Sequence, residues 1–135
     1  MGYTHYWNGN KSRIDLEEWP KAIADCEKII AARKDRLRLD VDDDKECIVF
    51  NGNDAAEEAH ETFFIPRSGK AMQGSPFDFC KTARKPYDVV VVACLARLAE
   101  AGLWVSSDGS EDEWQTGLVL ARNVLARDLR YPVAD

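Results

Sequence analysis

The feature that most constrains the fold is the apolar run YDVVVVACLARLAEAG, which covers residues 87–102. Its four valines favour a β-strand by intrinsic propensity. The run nevertheless continues for about 15 residues without a turn-forming residue, and that length fits a helix better than a strand. Pro86 before it and Gly102 after it are typical helix boundaries. We therefore predict a buried central helix.

Strand-like and helix-like patterns alternate around this central helix. Four short segments rich in aromatic and β-branched residues are predicted to be strands: residues 2–7, 46–50, 61–66 and 103–106. Two amphipathic helices are predicted, one from Asp15 to about Arg33 and one that begins with the capping pair Ser110 and Glu113. The resulting order, β-α-β-β-α-β-α, indicates an α+β fold: a mostly antiparallel four-stranded sheet with helices packed on one face.

Length and charge limit the classes of partner. The chain of 135 residues suits one compact domain spanning residues 1–135. Its net charge of -6 argues against general binding to nucleic acids or anionic membranes, because both require a large cationic surface. We recognise no secretory leader or membrane segment and no metal-ligand spacing among the four cysteines. We therefore expect a cytoplasmic protein with reduced thiols and without a metal or cofactor.

Residues 64–87 form a cationic stretch within this acidic chain. Five cations and one carboxylate give the stretch a net charge of +4: Arg67, Lys70, Lys81, Arg84 and Lys85 against Asp78. Lys81 and Arg84 are three residues apart, so one helical turn would place both beside the amino end of the valine-rich helix, where free amides attract phosphate. Phe77 and Phe79 offer faces on which a base can stack. The alternative is that the cations pair with the protein's own carboxylates and that the phenylalanines belong to the core.

Residues outside this stretch are candidates for the same site. His5 and Trp7 share one face of the first predicted strand and are expected to form a stacking wall, although a lone strand histidine is also typical of a structural residue. Ser107 follows a strand and is expected to donate or accept hydrogen bonds, while Asp108 either contacts the ligand or caps the turn. The predicted ligand-binding set is therefore His5, Trp7, Arg67, Lys81, Thr82, Arg84, Ser107 and Asp108.

Catalysis has weaker support in the sequence. The chain has neither the Gly-x-Ser-x-Gly motif of serine hydrolases nor a phosphate-binding glycine-rich loop, so no catalytic residue is predicted. Cys80 beside Lys81, together with His5, is kept as an alternative thiolate nucleophile. The acidic run from Asp40 to Asp44 resembles the start of a calcium loop. It lacks the glycine and the glutamate that such a loop requires, and we expect no metal there.

Three segments together carry a family resemblance: MGYTHYW at the start, FDFCKTARKPYD in the middle and VSSDGSEDEW before the last helix. They resemble a family of small proteins carried by bacteriophages and prophages, over nearly the whole chain. The resemblance implies a protein made in a bacterial cytoplasm under phage control. Accessory proteins of that origin often interfere with host defence, and one known strategy is to sequester the nucleotide signals that defence systems use. The resemblance brings no catalytic or ligand-binding residue with it.

The expected function is therefore binding and sequestration of an anionic, nucleotide-like small molecule by a small homo-oligomer. Two alternatives remain open. In the first alternative, the protein is an enzyme that cleaves such a nucleotide. In the second, it is an interaction module whose exposed aromatic and cationic residues dock an acidic host protein.

Overall fold

The computed structural model describes residues 2–39, 46–53, 55 and 57–133. Within these ranges the chain has an α+β fold of six strands and four α-helices. In chain order these elements are β1 (Thr4–Asn8), α1 (Trp19–Ala32), β2 (Leu37–Arg38), β3 (Cys47–Gly52), β4 (Phe63–Pro66), α2 (Gly69–Gln73), β5 (Phe77–Lys81), α3 (Asp88–Glu100), β6 (Trp104–Ser107) and α4 (Glu111–Leu125).

The described strands form two antiparallel sheets of three strands, where the sequence predicted one sheet of four. The first sheet has the order β5-β1-β6 and the second has the order β2-β3-β4. The main cause of the difference is β5, which pairs with β1 in a register that places Phe77 opposite Asn8 and Lys81 opposite Thr4. The predicted helical turn that joins Lys81 to Arg84 is therefore wrong. Pairing with a strand so distant in sequence decided the conformation, and local pattern does not reveal such pairing.

The predicted central helix is confirmed as α3, which is buried along most of its length and packs between α1 and α4. Gly117 of α4 explains the close approach of the last pair, because a Cβ atom there would lie 2.5 Å from Cγ1 of Val92. α1 begins at Trp19 and not at the predicted Asp15. The Asp15 carboxylate instead accepts backbone hydrogen bonds in the turn before the helix. None of the described helices combines the length and the apolar character needed to span a membrane.

One charged side chain lies inside this helical core. Arg97 of α3 is buried, and its guanidinium donates hydrogen bonds to Asp25 at 2.7 Å and to Glu18 at 2.6 Å. Because a buried charge is costly unless it is paired and hydrogen-bonded, these carboxylates make the position tolerable. Arg97 thereby ties α3 to α1.

Candidate functional site

The inner face of the first sheet gathers several predicted site residues. Successive residues of a strand point to opposite faces, so His5 and Trp7 of β1 face the helices together with Ser107 of β6, the register partner of His5. His5 is completely buried, with Nε2 2.6 Å from Oδ1 of Asp88 and Nδ1 2.7 Å from Oγ of Ser107. The Thr82 hydroxyl donates to the same Asp88 oxygen at 2.6 Å. Asp88, the first residue of α3, therefore organises this network, although the sequence analysis did not select it.

The hydrogen bonds of Ser107 fix the direction of the network. The Ser107 oxygen accepts from the Trp114 indole at 3.0 Å and from the Gly109 backbone at 2.8 Å. Both partners only donate, so they occupy the two lone pairs, and the hydroxyl proton points to Nδ1 of His5. The other imidazole nitrogen, Nε2, then carries a hydrogen and donates it to Asp88. The network runs in one direction, from serine to histidine to aspartate.

This order of groups matches a serine hydrolase relay, but its chemistry is blocked. A serine nucleophile needs a free lone pair and room for a substrate, whereas the Ser107 oxygen is saturated and His5 is 0% exposed. The network instead links β1, β6, α3 and α4, because each of these elements or the turn next to it contributes one of its groups. Satisfied buried networks of this kind rigidify a core. The inner face therefore serves folding.

Cys80, the alternative nucleophile, also lies on the inner face. It is buried, and burial raises the pKa of its thiol to about 12. The nearby Glu61 and Asp88 carboxylates push the pKa in the same direction. Since only the thiolate is a good nucleophile, this environment argues against Cys80 as a nucleophile.

Trp7 and Arg84 are likewise occupied within the protein. Trp7 is 1% exposed and packs with its ring centroid 5.4 Å from that of Phe63, so it belongs to the core. The guanidinium of Arg84 lies over the ring of Tyr3 and donates to Glu113 at 2.9 Å. Hydrogen bonding and charge from Arg84 lower the pKa of Glu113. Arg84 thus makes the internal pairing that the sequence analysis kept as an alternative.

Arg67 is placed against α1 by its contacts. It donates to Glu27 of α1 and, at 3.3 Å, to the carbonyl of Cys47. It lines a cleft of about 350 Å³ that includes Lys34 and Ile48. These contacts lie at the second sheet, whereas Lys81 belongs to the first, so the structure does not bring the two cations together.

The outer face of the first sheet has a different character. Tyr6 of β1 lies between its register partners, Phe79 of β5 and Ser106 of β6. The rings of Tyr6 and Phe77 stack with centroids 5.7 Å apart, and those of Phe77 and Phe79 are 6.2 Å apart. Phe77 is 51% exposed and Phe79 is 50% exposed. We call Tyr6, Phe77 and Phe79 the aromatic platform. Solvated sheet faces are normally polar, so this exposed group of aromatic rings is a candidate interaction surface.

The register arranges this outer face as three rows, with one residue from β5, one from β1 and one at β6. The rows are Phe77, Asn8 and Trp104; Phe79, Tyr6 and Ser106; and Lys81, Thr4 and Asp108. Asp108 comes directly after β6. It is placed in the third row, opposite Thr4, because its backbone amide donates to the Thr4 carbonyl at 2.9 Å. Two rows are therefore rich in aromatic residues, and the third has opposite charges at its two ends.

The charged row has capacity for further contacts. The end of the Lys81 side chain lies beside Gly2, and its ammonium makes no ion pair with any described residue. The exposed Asp108 carboxylate accepts from the Tyr6 hydroxyl at 3.0 Å and from the Thr4 backbone at 3.1 Å. Each carboxylate oxygen can accept another hydrogen bond.

The free edge of β5 is closed to a further strand. The backbone amide of Phe79 donates to Asp78 at 2.8 Å, and that of Lys81 donates to Glu61 at 2.6 Å. Side chains that occupy edge donors prevent another strand from pairing there. The edge of β5 is therefore less available to a partner than the outer face of the first sheet.

A small cleft adjoins the aromatic platform. It has a volume of about 170 Å³ and is lined by Phe64, Phe77 and the edge of Trp7, among others. Phe64 is itself exposed and extends the aromatic surface beyond the first sheet. The lining of the cleft is mostly apolar, as is usual for sites that hold planar organic groups.

Comparison of the chain with protein-family models, with curated proteins and with solved structures finds no match. In the described part of the chain, no group of three or more His, Cys, Asp and Glu residues is placed to hold a metal ion. The acidic run from Asp40 to Asp44 lies outside the described residues. The site is therefore defined by its own geometry alone.

Proposed function

We propose that the protein binds an anionic, nucleotide-like small molecule on the outer face of its first sheet and holds it unchanged. The observation that carries this proposal is the aromatic platform beside the ammonium of Lys81, which makes no ion pair with any described residue. Flat, exposed rings suit a nucleobase, and an ammonium suits a phosphate. The resemblance to phage proteins adds a reason for such binding, since sequestering a nucleotide signal blocks a defence response.

The proposed contacts set the scale of the affinity. Stacking on aromatic side chains contributes about 1–3 kcal/mol per base. An exposed ion pair with Lys81 adds about 1 kcal/mol or less. Together they reach at most about 4 kcal/mol, which corresponds to a dissociation constant of about a millimolar or weaker for one base on one copy. A ligand with two bases gains a second stacking contribution, which favours dinucleotides over mononucleotides.

Cleavage of the ligand has less support than binding. The relay of Ser107, His5 and Asp88 lies on the opposite face of the sheet, and its serine oxygen is saturated with hydrogen bonds. Among the groups that the sequence suggested for catalysis, the structure leaves none exposed beside the platform. We therefore propose a binding protein and not an enzyme.

Thermal shift and native mass spectrometry against linear and cyclic mono- and dinucleotides test the proposal. A ligand that binds only the folded state raises the melting temperature by mass action. We expect Phe79→Ala to abolish the shift and Lys81→Ala to reduce it. We expect Lys21→Ala, which removes an exposed cation of α1, to keep it. If no nucleotide raises the melting temperature, or if Phe79→Ala leaves the shift intact, the proposal is wrong.

The same samples separate the two alternatives. After long incubation and denaturation, a binding protein returns the nucleotide intact, whereas an enzyme returns a product. If no nucleotide binds but the protein captures one acidic host protein through Phe77 and Phe79, the surface is an interaction module.

A further inference from the structure

We infer that the outer face of one copy of this chain packs against the outer face of a second copy, forming a two-fold symmetric dimer. This inference does not require the proposed ligand. It rests on the arrangement of the three rows, in which the two ends of the charged row have opposite signs and lie on the two outer strands of the sheet.

Consider two copies whose outer faces are turned towards each other, with the two-fold axis midway between the two sheets and parallel to β1. Rotation about this axis places β1 over β1 and places β5 of each copy over β6 of the other. The rows are then self-complementary. Lys81 of each copy then faces Asp108 of the other, so the dimer contains two such pairs. The strand directions of two packed sheets normally differ by no more than about 30°. The pairing of Lys81 with Asp108 across the axis is therefore compatible with the usual twist of the sheets.

The same rotation covers the aromatic rows. Phe77 of each copy lies over Trp104 of the other, Phe79 lies over Ser106, and the two Tyr6 rings meet near the axis. The two phenylalanines are half exposed in a single copy, so the dimer removes their apolar surface from water. Aromatic pairs add a contribution beyond the buried area.

The features of the sheet favour a second copy over an unrelated partner. The side-chain hydrogen bonds to the amides of Phe79 and Lys81 disfavour strand pairing along the edge of β5. The face itself has a charge pattern that is complementary to its own rotated image. Such an isologous contact closes after two copies and does not grow into a filament.

The size of the face limits the strength of the dimer. Three strands and three rows measure about 10 Å by 14 Å between outermost Cα atoms, from standard strand spacings. The total buried area is then below the roughly 1,200 Å² at which stable interfaces begin, so we expect a weak, concentration-dependent dimer. A nucleotide on the platform occupies the same surface and therefore competes with the second copy.

Sedimentation equilibrium between about 10 μM and 1 mM protein is the first measurement, a range chosen for a weak interface. We expect reversible dimerisation that Phe79→Ala abolishes and that Lys21→Ala leaves unchanged. A chain that stays monomeric throughout this range contradicts the inference, and so does a dimer that survives Phe79→Ala.

Charge reversal tests the geometry of the dimer independently of folding. Lys81→Asp and Asp108→Lys each place like charges at both pairs, so each variant alone should dimerise at least tenfold more weakly than the native chain. An equimolar mixture of the two variants pairs the new carboxylate at position 81 with the new ammonium at position 108. We expect the mixture to recover the dimer as a mixed species. A mixture that associates no better than either variant alone contradicts the inference, provided that thermal unfolding shows both variants folded.

Nucleotide titration separates this inference from the proposed function. If the dimer forms and no nucleotide binds, the dimer stands and the proposed function fails. If nucleotides bind to a chain that remains monomeric at every concentration, the proposed function stands and the dimer fails. If both hold, added nucleotide must shift the dimer towards monomer.

Discussion

The two faces of the first sheet are built from alternate residues of the same strands. They differ in how many of their side chains already have hydrogen-bond, ion-pair or packing partners within the protein. On the inner face, the polar atoms of His5 and Ser107 are engaged with one another and with their neighbours. On the outer face, Phe77 and Phe79 are half exposed, and Lys81 makes no ion pair with a described residue.

The comparison shows that folding uses the hydrogen-bonding capacity of the residues whose chemistry is most suggestive. Ser107, His5 and Asp88 follow the order of a catalytic relay, although Nδ1 of His5 bonds the serine and Nε2 bonds the aspartate, the reverse of the serine protease arrangement. Each of these hydrogen bonds also occupies a group that catalysis would need. The outer face is chemically plain, but its two phenylalanine rings remain half exposed.

Trp7 and Tyr6 are neighbours on β1 that point to opposite faces of the sheet. Replacing each in turn gives the largest expected difference in unfolding free energy between the two faces. Trp7→Ala empties a core position, which typically costs about 3–5 kcal/mol of unfolding free energy. Tyr6→Ala loses a partly exposed ring and a surface hydrogen bond, and we expect a cost of about 1 kcal/mol or less. Urea unfolding monitored by circular dichroism measures both. Equal losses for the two variants would show that the faces do not differ in this way.

Asp88 tests the inner network with the next largest effect. Asp88→Ala leaves Nε2 of His5 and the Thr82 hydroxyl without their acceptor. Buried donors without partners cost about 1–3 kcal/mol each, so we expect a loss of about 3 kcal/mol in the unfolding free energy. Asp112→Ala, at an exposed position of α4, is the control and should change stability by about 0.5 kcal/mol. A loss at Asp88 no larger than at Asp112 would refute the network's structural role.

The pair of Arg84 and Glu113 gives the smallest expected effect, because Glu113 is at the surface. Hydrogen bonding from Arg84 lowers the pKa of Glu113 in the folded state, so the pair stabilises the fold above the unfolded carboxyl's pKa. This stabilisation disappears as the pH falls through the folded pKa. In Arg84→Ala, we expect the pKa of Glu113 to rise towards its ordinary value in an NMR titration. An unchanged pKa would mean that the ion pair does not form in solution.

Local sequence pattern predicted α1, α3 and α4 but missed the short helix α2. The length of the apolar run correctly predicted the helix α3 against the strand propensity of its valines, and the Ser110 and Glu113 capping box at the start of α4 is present as predicted. By contrast, β5 was missed because its conformation depends on pairing with β1, far away in the sequence. The alternation of Phe77 and Phe79 with polar residues was the available signal, since period two is typical of a strand.

The candidate site was predictable only in part, for the same reason. Placing His5, Thr82 and Ser107 in one site was reasonable, but the hub, Asp88, follows from the three-dimensional meeting of α3 with the first sheet. Lys81 and the neighbouring phenylalanines were recognised as a group. Whether each cation pairs internally depends on long-range contacts, such as those of Arg67 with Glu27 and of Arg84 with Glu113.

The most direct test of the account is amide chemical-shift mapping by ¹H–¹⁵N NMR during titration with a linear adenine dinucleotide. We predict that the largest shifts fall on the outer face, at Tyr6, Phe77, Phe79 and Lys81. Shifts concentrated at the cleft of Lys34, Ile48 and Arg67, or no shifts at any nucleotide concentration, would contradict the claim that the outer face is the functional surface.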